Sequence, residues 1–336
     1  MKFHSDNIRL VLLSLFASAL ALTCSAQGWM DDEEDMGPRR RGIEFGLNMG
    51  VYQPFSAKPD YDNVFKDNAA NFYNGAAEFD LGDNTAGLNS IANRAYDTWT
   101  SNQIISLLQN AGYTVDQGLN EANTPVWCYD LMTYETSMLF GLRIAGFFSP
   151  ESAIVMSADF ASLKAVGQYQ IEFTNLPVTN QIDRYYDSAV FGEERRFIGT
   201  LGYRTSLYIN SVSSFLFEFG GVATGTQVMR NYFVVEGQPF QLIYLNTGPG
   251  QFNGQSSNLS NIGFGGYAAI GLEGLFEEGG NLEANLRVSY DRIKLGSQEL
   301  DEFDEVRGYS QMQWNFGLYV TWMIPPHIGD FVRASF

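Results

Sequence analysis

The sequence predicts an all-β protein: an eight-stranded antiparallel transmembrane β-barrel with a long, partly helical first outer loop. Three observations predict it. Apolar and polar residues alternate with period two in eight separate runs. Each run has the roughly ten residues that a tilted strand needs to cross a bilayer. The connections between runs are short and long in strict alternation. The polar half of the alternation carries glycines, hydroxyls and charges of both signs, where the inside of a soluble barrel would be apolar.

The runs follow in chain order. GIEFGLNMGVY sets Ile43, Phe45, Leu47, Met49 and Val51 against Glu44, Gly46, Asn48, Gly50 and Tyr52. ETSMLFGLRIAGFF sets Met138, Phe140, Leu142 and Ile144 against Ser137, Gly141, Arg143 and Ala145. In AIVMSADFAS, Ile154, Met156, Ala158 and Phe160 oppose Ser157, Asp159 and Ala161. In RFIGTLGYRTSLYI, Phe197, Leu201, Tyr203, Leu207 and Ile209 oppose Thr200, Gly202, Arg204 and Ser206. FLFEFGGVATG places Phe215, Phe217 and Phe219 against Glu218 and Gly220. IGFGGYAAIGLEGLF places Phe264, Ala268, Ile270 and Leu272 against Gly265, Tyr267, Gly271 and Glu273. LEANLRVSY places Leu282, Leu286, Val288 and Tyr290 against Glu283, Asn285, Arg287 and Ser289. The last run, QMQWNFGLYVTW, turns Met312, Trp314, Phe316, Leu318, Val320 and Trp322 to the apolar side.

Three connections, SPES, NSVSS and EEGGN, have hairpin length. The other four cover residues 56–132, 174–194, 231–260 and 296–310. Short turns on the inner side and long loops on the outer side are the pattern of outer-membrane barrels. The apolar side then faces lipid, with Trp314 and Trp322 near the two aromatic girdles. The polar side faces a lumen that eight strands leave just wide enough for side chains to fill. Glu44, Arg143, Asp159, Arg204, Glu218, Glu273 and Arg287 are expected there as a charge network, because unpaired charges in a narrow lumen would be costly. Solvent-exposed charges on a one-sided sheet are the competing reading.

Outside the runs, Lys2 and Arg9 flank the start of LVLLSLFASALAL, which ends in TCSAQ. A basic start, an apolar stretch and small residues describe a signal peptide over residues 1–26, with Cys24 and Ala26 before the cut. Acylation of Cys24 is the rival, against which Leu22 stands one place late. The expected order is then a periplasmic segment 27–42, the barrel 43–322 with loop 56–132, and a periplasmic tail 323–336. The whole chain of 336 residues carries net charge −18, and residues 27–336 hold 37 acids against 18 bases. That excess excludes nucleic acid, whose phosphates need Lys and Arg. Without the first 26 residues only Cys128 remains, so no intrachain disulfide is expected.

The end of the final run, residues 315–322, resembles the terminal-strand signal read by the barrel-assembly machinery, through Gly317, Val320 and Trp322. Over residues 43–322 the chain resembles the small OmpA-like or OmpX-like outer-membrane barrels in the form common in Bacteroidetes, a group that includes PorT-like secretion-associated barrels. The usual signal closes the chain at an aromatic residue, whereas MIPPHIGDFVRASF follows Trp322 here. Either the signal is internal at Trp322 or Phe336 serves. The resemblance implies an outer-membrane location and contact with outer-membrane lipid and lipopolysaccharide. It leaves open anchors, adhesins, assembly factors and a few enzymes.

Enzymes of this kind generally use histidine near the outer rim. The two histidines are His4, in the expected signal peptide, and His327, in the expected tail. No catalytic residue, metal site or cofactor is therefore expected. The first outer loop, about 77 residues long, exceeds what an idle connection needs. Within it TWTSNQIISLLQN reads as a helix, with Trp99, Ile104, Leu107 and Leu108 on one face and Gly112 as the stop. The helix either presents a binding surface or plugs the barrel mouth. Trp99, Ile104, Leu108, Trp127 and Tyr129 are the candidate interaction surface, with Phe72, Tyr73, Tyr96, Tyr185 and Tyr186 as further loop aromatics. Cys128 reads as a small buried residue. The acids of SQELDEFDEVR read as a solvated run or as divalent-ion ligands that bridge to lipopolysaccharide. DDEED at 31–35 and Arg39, Arg40 and Arg41 suit headgroups or a periplasmic partner. Asp187-Ser188-Ala189 matches a short O-glycosylation pattern, with Ser188 as acceptor. The expected function is a non-enzymatic anchor, scaffold or accessory subunit of an outer-membrane or secretion complex. The alternatives are a small-solute channel and an outer-leaflet lipid-modifying enzyme.

Overall fold

The computed structural model describes residues 42–55, 69–74, 91–113, 115, 118–120, 123–128, 132–174, 184–210, 212–242, 260–276, 280–300 and 306–324. The expected signal peptide, most of the N-terminal segment with its charge block, and the tail with His327 lie outside the described residues, as do Tyr129 and Asp301 to Glu305.

Eight long strands form the wall: β1 Gly42–Pro54, β2 Ser137–Ser149, β3 Ser152–Glu172, β4 Tyr185–Asn210, β5 Ser213–Val235, β6 Ser260–Phe276, β7 Gly280–Leu300 and β8 Val306–Met323. Each pairs antiparallel with its neighbour in sequence, and β1 pairs β8 in register from Gly46↔Met323 to Pro54↔Asn315. The ring is therefore closed and leaves no open edge in the wall, which a bilayer requires because no water is there to satisfy free backbone groups. No described helix is long and apolar enough to cross a membrane.

Outward side chains are apolar and uncovered. Leu201, Phe219, Phe264 and Leu142 are each 58–70% exposed, and Ile154, Ile209 and Trp314 each about half. A continuous band of this kind has no place in water. From Phe197 to Ile209 of β4 it runs thirteen residues, about 40 Å of strand, or about 30 Å of height at the usual tilt. Trp314 and Trp322 both lie on this outer face, at opposite ends of the apolar stretch of β8.

The strands are longer than the sequence pattern suggested. β3 runs to Glu172, β4 starts at Tyr185 and β5 runs to Val235, so about half of the connection expected at 174–194 and the first residues of that at 231–260 are wall. The last expected loop is shorter as well, since β7 reaches Leu300 and β8 starts at Val306. Tyr185, Tyr186 and Ser188 are consequently strand residues, not loop residues; Tyr186 is buried and Ser188, opposite Tyr169, half-buried. The reason is that alternation continues unbroken past the membrane while its apolar side changes from outward to inward.

The part of the wall beyond the membrane band encloses pieces of the first long connection. These are a 3-10 helix Ala69–Asn74, α1 Ile91–Tyr96 and α2 Thr98–Asn110. Short strands Val126–Cys128 and Thr133–Tyr134 add to β3, and Gln238–Gln241 adds to β5. The side chain of Asp97 caps α2 by accepting from the Thr100 amide at 3.2 Å. Gly112 stops it with φ +96°, a conformation that suits glycine.

Candidate functional site: a sealed lumen and its cap

Inside the membrane band and at its long-connection edge the enclosed side chains are polar and ionic. Among the described residues four arginines (Arg143, Arg196, Arg204, Arg287) and six carboxylates (Asp159, Glu194, Glu218, Glu273, Glu283, Asp291) are buried charges. They come from six of the eight strands and form three tiers.

The tier nearest the short turns joins β2, β4, β5, β6 and β7. Arg143 pairs with Glu218 and lies 3.6 Å from Glu283. Arg204 donates to Glu283 at 2.5 Å and to Glu273 at 3.1 Å. Glu283 thus serves two arginines, while the Ser214 hydroxyl donates to Glu273 at 2.8 Å. Below them the Arg204 guanidinium lies over the Phe147 ring at 5.4 Å. In the middle tier Arg287 donates to Asp159 at 2.7 Å and sits 5.2 Å from the Tyr319 ring centre. Asn48 donates to the same carboxylate at 2.8 Å. Position 141 must be glycine, because a Cβ there would run into the Asp159 carboxylate.

The third tier ties the lumen to the cap. Glu194 receives the Arg196 guanidinium at 2.6 Å, the Tyr73 hydroxyl at 2.5 Å and the Tyr134 hydroxyl at 2.9 Å. Tyr73 belongs to the 3-10 helix and Tyr134 to a short strand, so one carboxylate pins two pieces of the first connection to the wall. Burial, reinforced by the Glu194 carboxylate, pushes both phenols well above the ordinary tyrosine range and keeps them as donors. A Cβ on Gly192 would strike the Tyr73 ring, so glycine at that position is what lets the helix seat.

Above this tier the interior is apolar. Leu163, Ala165, Tyr169 and Ile171 of β3, Val190 of β4 and Phe233 and Val235 of β5 are buried against Ile91, Ala95, Ile104, Leu108 and Met132 of the first connection. Tyr169 and Phe233 meet edge to face at 5.5 Å. The barrel mouth is therefore closed by a packed core of the kind found inside soluble proteins.

Of the expected lumen set, Arg143, Asp159, Arg204, Glu218, Glu273 and Arg287 stand together in the first two tiers. Glu44, near the turn end of β1, is half-buried. Glu283 was read on the polar side of its run but not in the charge network, and Arg196, Glu194 and Asp291 were not named in the sequence. All four follow the parity of named neighbours: Glu283 and Asp291 that of Arg287, and Arg196 and Glu194 that of Arg204. The expected interaction surface needs correction. Ile104 and Leu108 are fully buried and cannot meet a partner, whereas Trp99 is 62% exposed on the other side of α2. Ile104 stands five residues beyond Trp99, a rotation of about 140° on a helix. The buried face is Thr100, Ser101, Ile104 and Leu108. Trp127 and Cys128 lie in the short strand that pairs Gln170 and Tyr169.

Fold and site together define a membrane-spanning β-barrel of the outer-membrane type, with a filled lumen and a folded cap. No family model matches the chain, and no curated protein does. Among solved structures it is similar to the outer membrane protein OprG of Pseudomonas aeruginosa, with 11% identity over 87% of this chain and 99% of that one, TM-score 0.33. It is also similar to Ail, the attachment invasion locus protein of Yersinia pestis, with 12% identity over 84% and 99% and TM-score 0.28. A second Ail structure, in complex with the heparin analogue sucrose octasulfate, gives 10% identity over 85% and 100% and TM-score 0.29. At these values nothing is carried over from those proteins to this chain.

Proposed function

We propose that this chain is a non-enzymatic outer-membrane anchor that holds a folded, outward-facing platform for another protein of an outer-membrane or secretion complex. The observation that carries the reading is the division of the interior. Ion pairs fill the lumen, and an apolar core shuts the mouth. A pore would need an open, hydrated path, and a binding pocket would need an open cavity at the mouth. What reaches beyond the membrane instead is an extended sheet of β3, β4 and β5 packed on α1 and α2, with Trp99 of α2 exposed. An exposed indole of this kind is a frequent anchor in protein interfaces.

The test is a crosslinked pull-down from native outer membranes with the full chain and with Trp99→Ala. The reading expects one or more outer-membrane proteins captured by the full chain and reduced capture by the variant. Heat-modifiable gel migration should be unchanged in both. Conductance in planar bilayers that changes with Arg143→Ala or Arg204→Ala would replace the reading with a channel. A lipid-A mass change in a deletion strain would replace it with an enzyme.

A further inference from the structure

The distribution of outward-facing cations, taken together with the reading of the wall as membrane-spanning, points to a second surface with its own ligand. Among the described residues, Lys164, Arg195, Arg230, Arg292 and Lys294 are the outward cations nearest the band of lipid-facing side chains. All five sit just beyond its long-connection edge. On β4 the last ring of the band is Phe197, packed 5.2 Å from Phe160, and Arg195 stands two residues further out along the strand. On β7 the last ring is Tyr290, packed 4.6 Å from Trp314, and Arg292 and Lys294 follow at two and four residues. Two residues are about 7 Å of strand, which sets Arg195 and Arg292 in the headgroup layer. Both sides repeat the order of apolar band, aromatic pair, arginine.

These cations stand in a chain of net charge −18, yet Arg195 and Arg292 are exposed and form no ion pair among the described residues. Arg195 lies in a lateral row between Ser162 and Gln227, a hydroxyl and an amide on either side of a guanidinium. One rung higher Glu193 stands between Lys164 and Arg230, 3.8 Å from the latter. Exposed arginines with no acid partner among the described residues are complementary to an outside anion. A guanidinium flanked by neutral hydrogen-bonding groups suits phosphate oxygens.

We infer that this collar binds the phosphate groups of lipids in the leaflet at the long-connection end, holding the barrel at a fixed depth. The bond is a headgroup contact, continuous with the lipid-facing band.

Trp314 reports on the β7 side of the collar. In a Trp322→Phe background the protein is inserted into vesicles containing either brominated phosphatidylglycerol or brominated phosphatidylcholine, and quenching gives the relative association of the two lipids. The proposal expects a preference for phosphatidylglycerol. Arg292→Gln with Lys294→Gln lowers it by roughly five-fold per cation removed. Equal quenching by both lipids, or a preference unchanged in the double variant, overturns it. Inorganic phosphate that abolishes the preference, at an ionic strength where chloride does not, overturns the assignment to lipid. Heat-modifiable migration, read on every sample, shows insertion separately, so failure of the barrel reading is distinguishable. If the double variant does not insert, Arg195→Gln decides. The gain in melting midpoint on adding phosphatidylglycerol then falls if the collar binds headgroups, and an unchanged gain overturns the proposal.

Discussion

The two halves of β3 obey opposite rules with the same parity. From Ala153 to Asp159 the inward residues become polar, and the outward ones, Ile154 and Met156, are apolar and more than half exposed. From Ala161 to Ile171 the inward residues are Leu163, Ala165, Tyr169 and Ile171, all buried, while Ser162 and Gln168 are exposed outward. No bulge separates the halves, and the β3–β4 register runs unbroken from Ser152↔Thr205 to Glu172↔Tyr185. The side chains do not exchange faces; the solvent outside the wall does. Below Phe160 it is hydrocarbon, so the apolar residues turn outward and the charges pair within. Above it the outside is water, so the apolar residues turn inward and need something to pack on. The folded first connection supplies that packing. A capped mouth is thus a physical consequence of extending the strands beyond the membrane.

The largest test of this contrast is Glu283→Ala, which removes the carboxylate shared by Arg143 and Arg204. Breaking a buried pair should cost about 4 kcal/mol, seen as a lower urea midpoint for the whole barrel in lipid. A shift confined to protease sensitivity of the cap would contradict the division into tiers. The next test compares one substitution at two heights. Leu201→Arg, on the lipid-facing side, should cost about 3 kcal/mol near mid-membrane. Gln168→Arg, outward on the extension, should stay within about 0.5 kcal/mol. Equal urea midpoints for the two would mean that lipid does not end near Phe160. The smallest is Asp97→Ala, which deletes the α2 cap and should cost about 1 kcal/mol locally. Faster proteolytic clipping of the first connection is expected, with the urea midpoint of the barrel unchanged. A lower barrel midpoint would show that cap and wall unfold together.

Much of this molecule is legible in its sequence. Period-two runs located all eight strands, and the mixed charges on their polar side pointed to a lumen. Helix α2 lies where TWTSNQIISLLQN placed it, stopped by Gly112. The strand ends beyond the membrane were missed because an alternating run that swaps its apolar side looks, locally, like a run that has ended. Position 99 was misplaced because Trp99 and Ile104 are five residues apart, and spacing of five does not share a helical face. The Tyr73–Glu194–Tyr134 knot had no local signal at all, since its members are 60 or more residues apart.

Sequence by itself determined the alternation, the parity of the residues within the membrane band and the helix with its ends, because these depend on neighbours two to four positions away. Only the tertiary structure decided which carboxylate each arginine meets, where the wall leaves the lipid, and that Ile104 and Leu108 lie under the cap. Those outcomes depend on which distant strands stand side by side in a closed ring and on what medium surrounds each height of it.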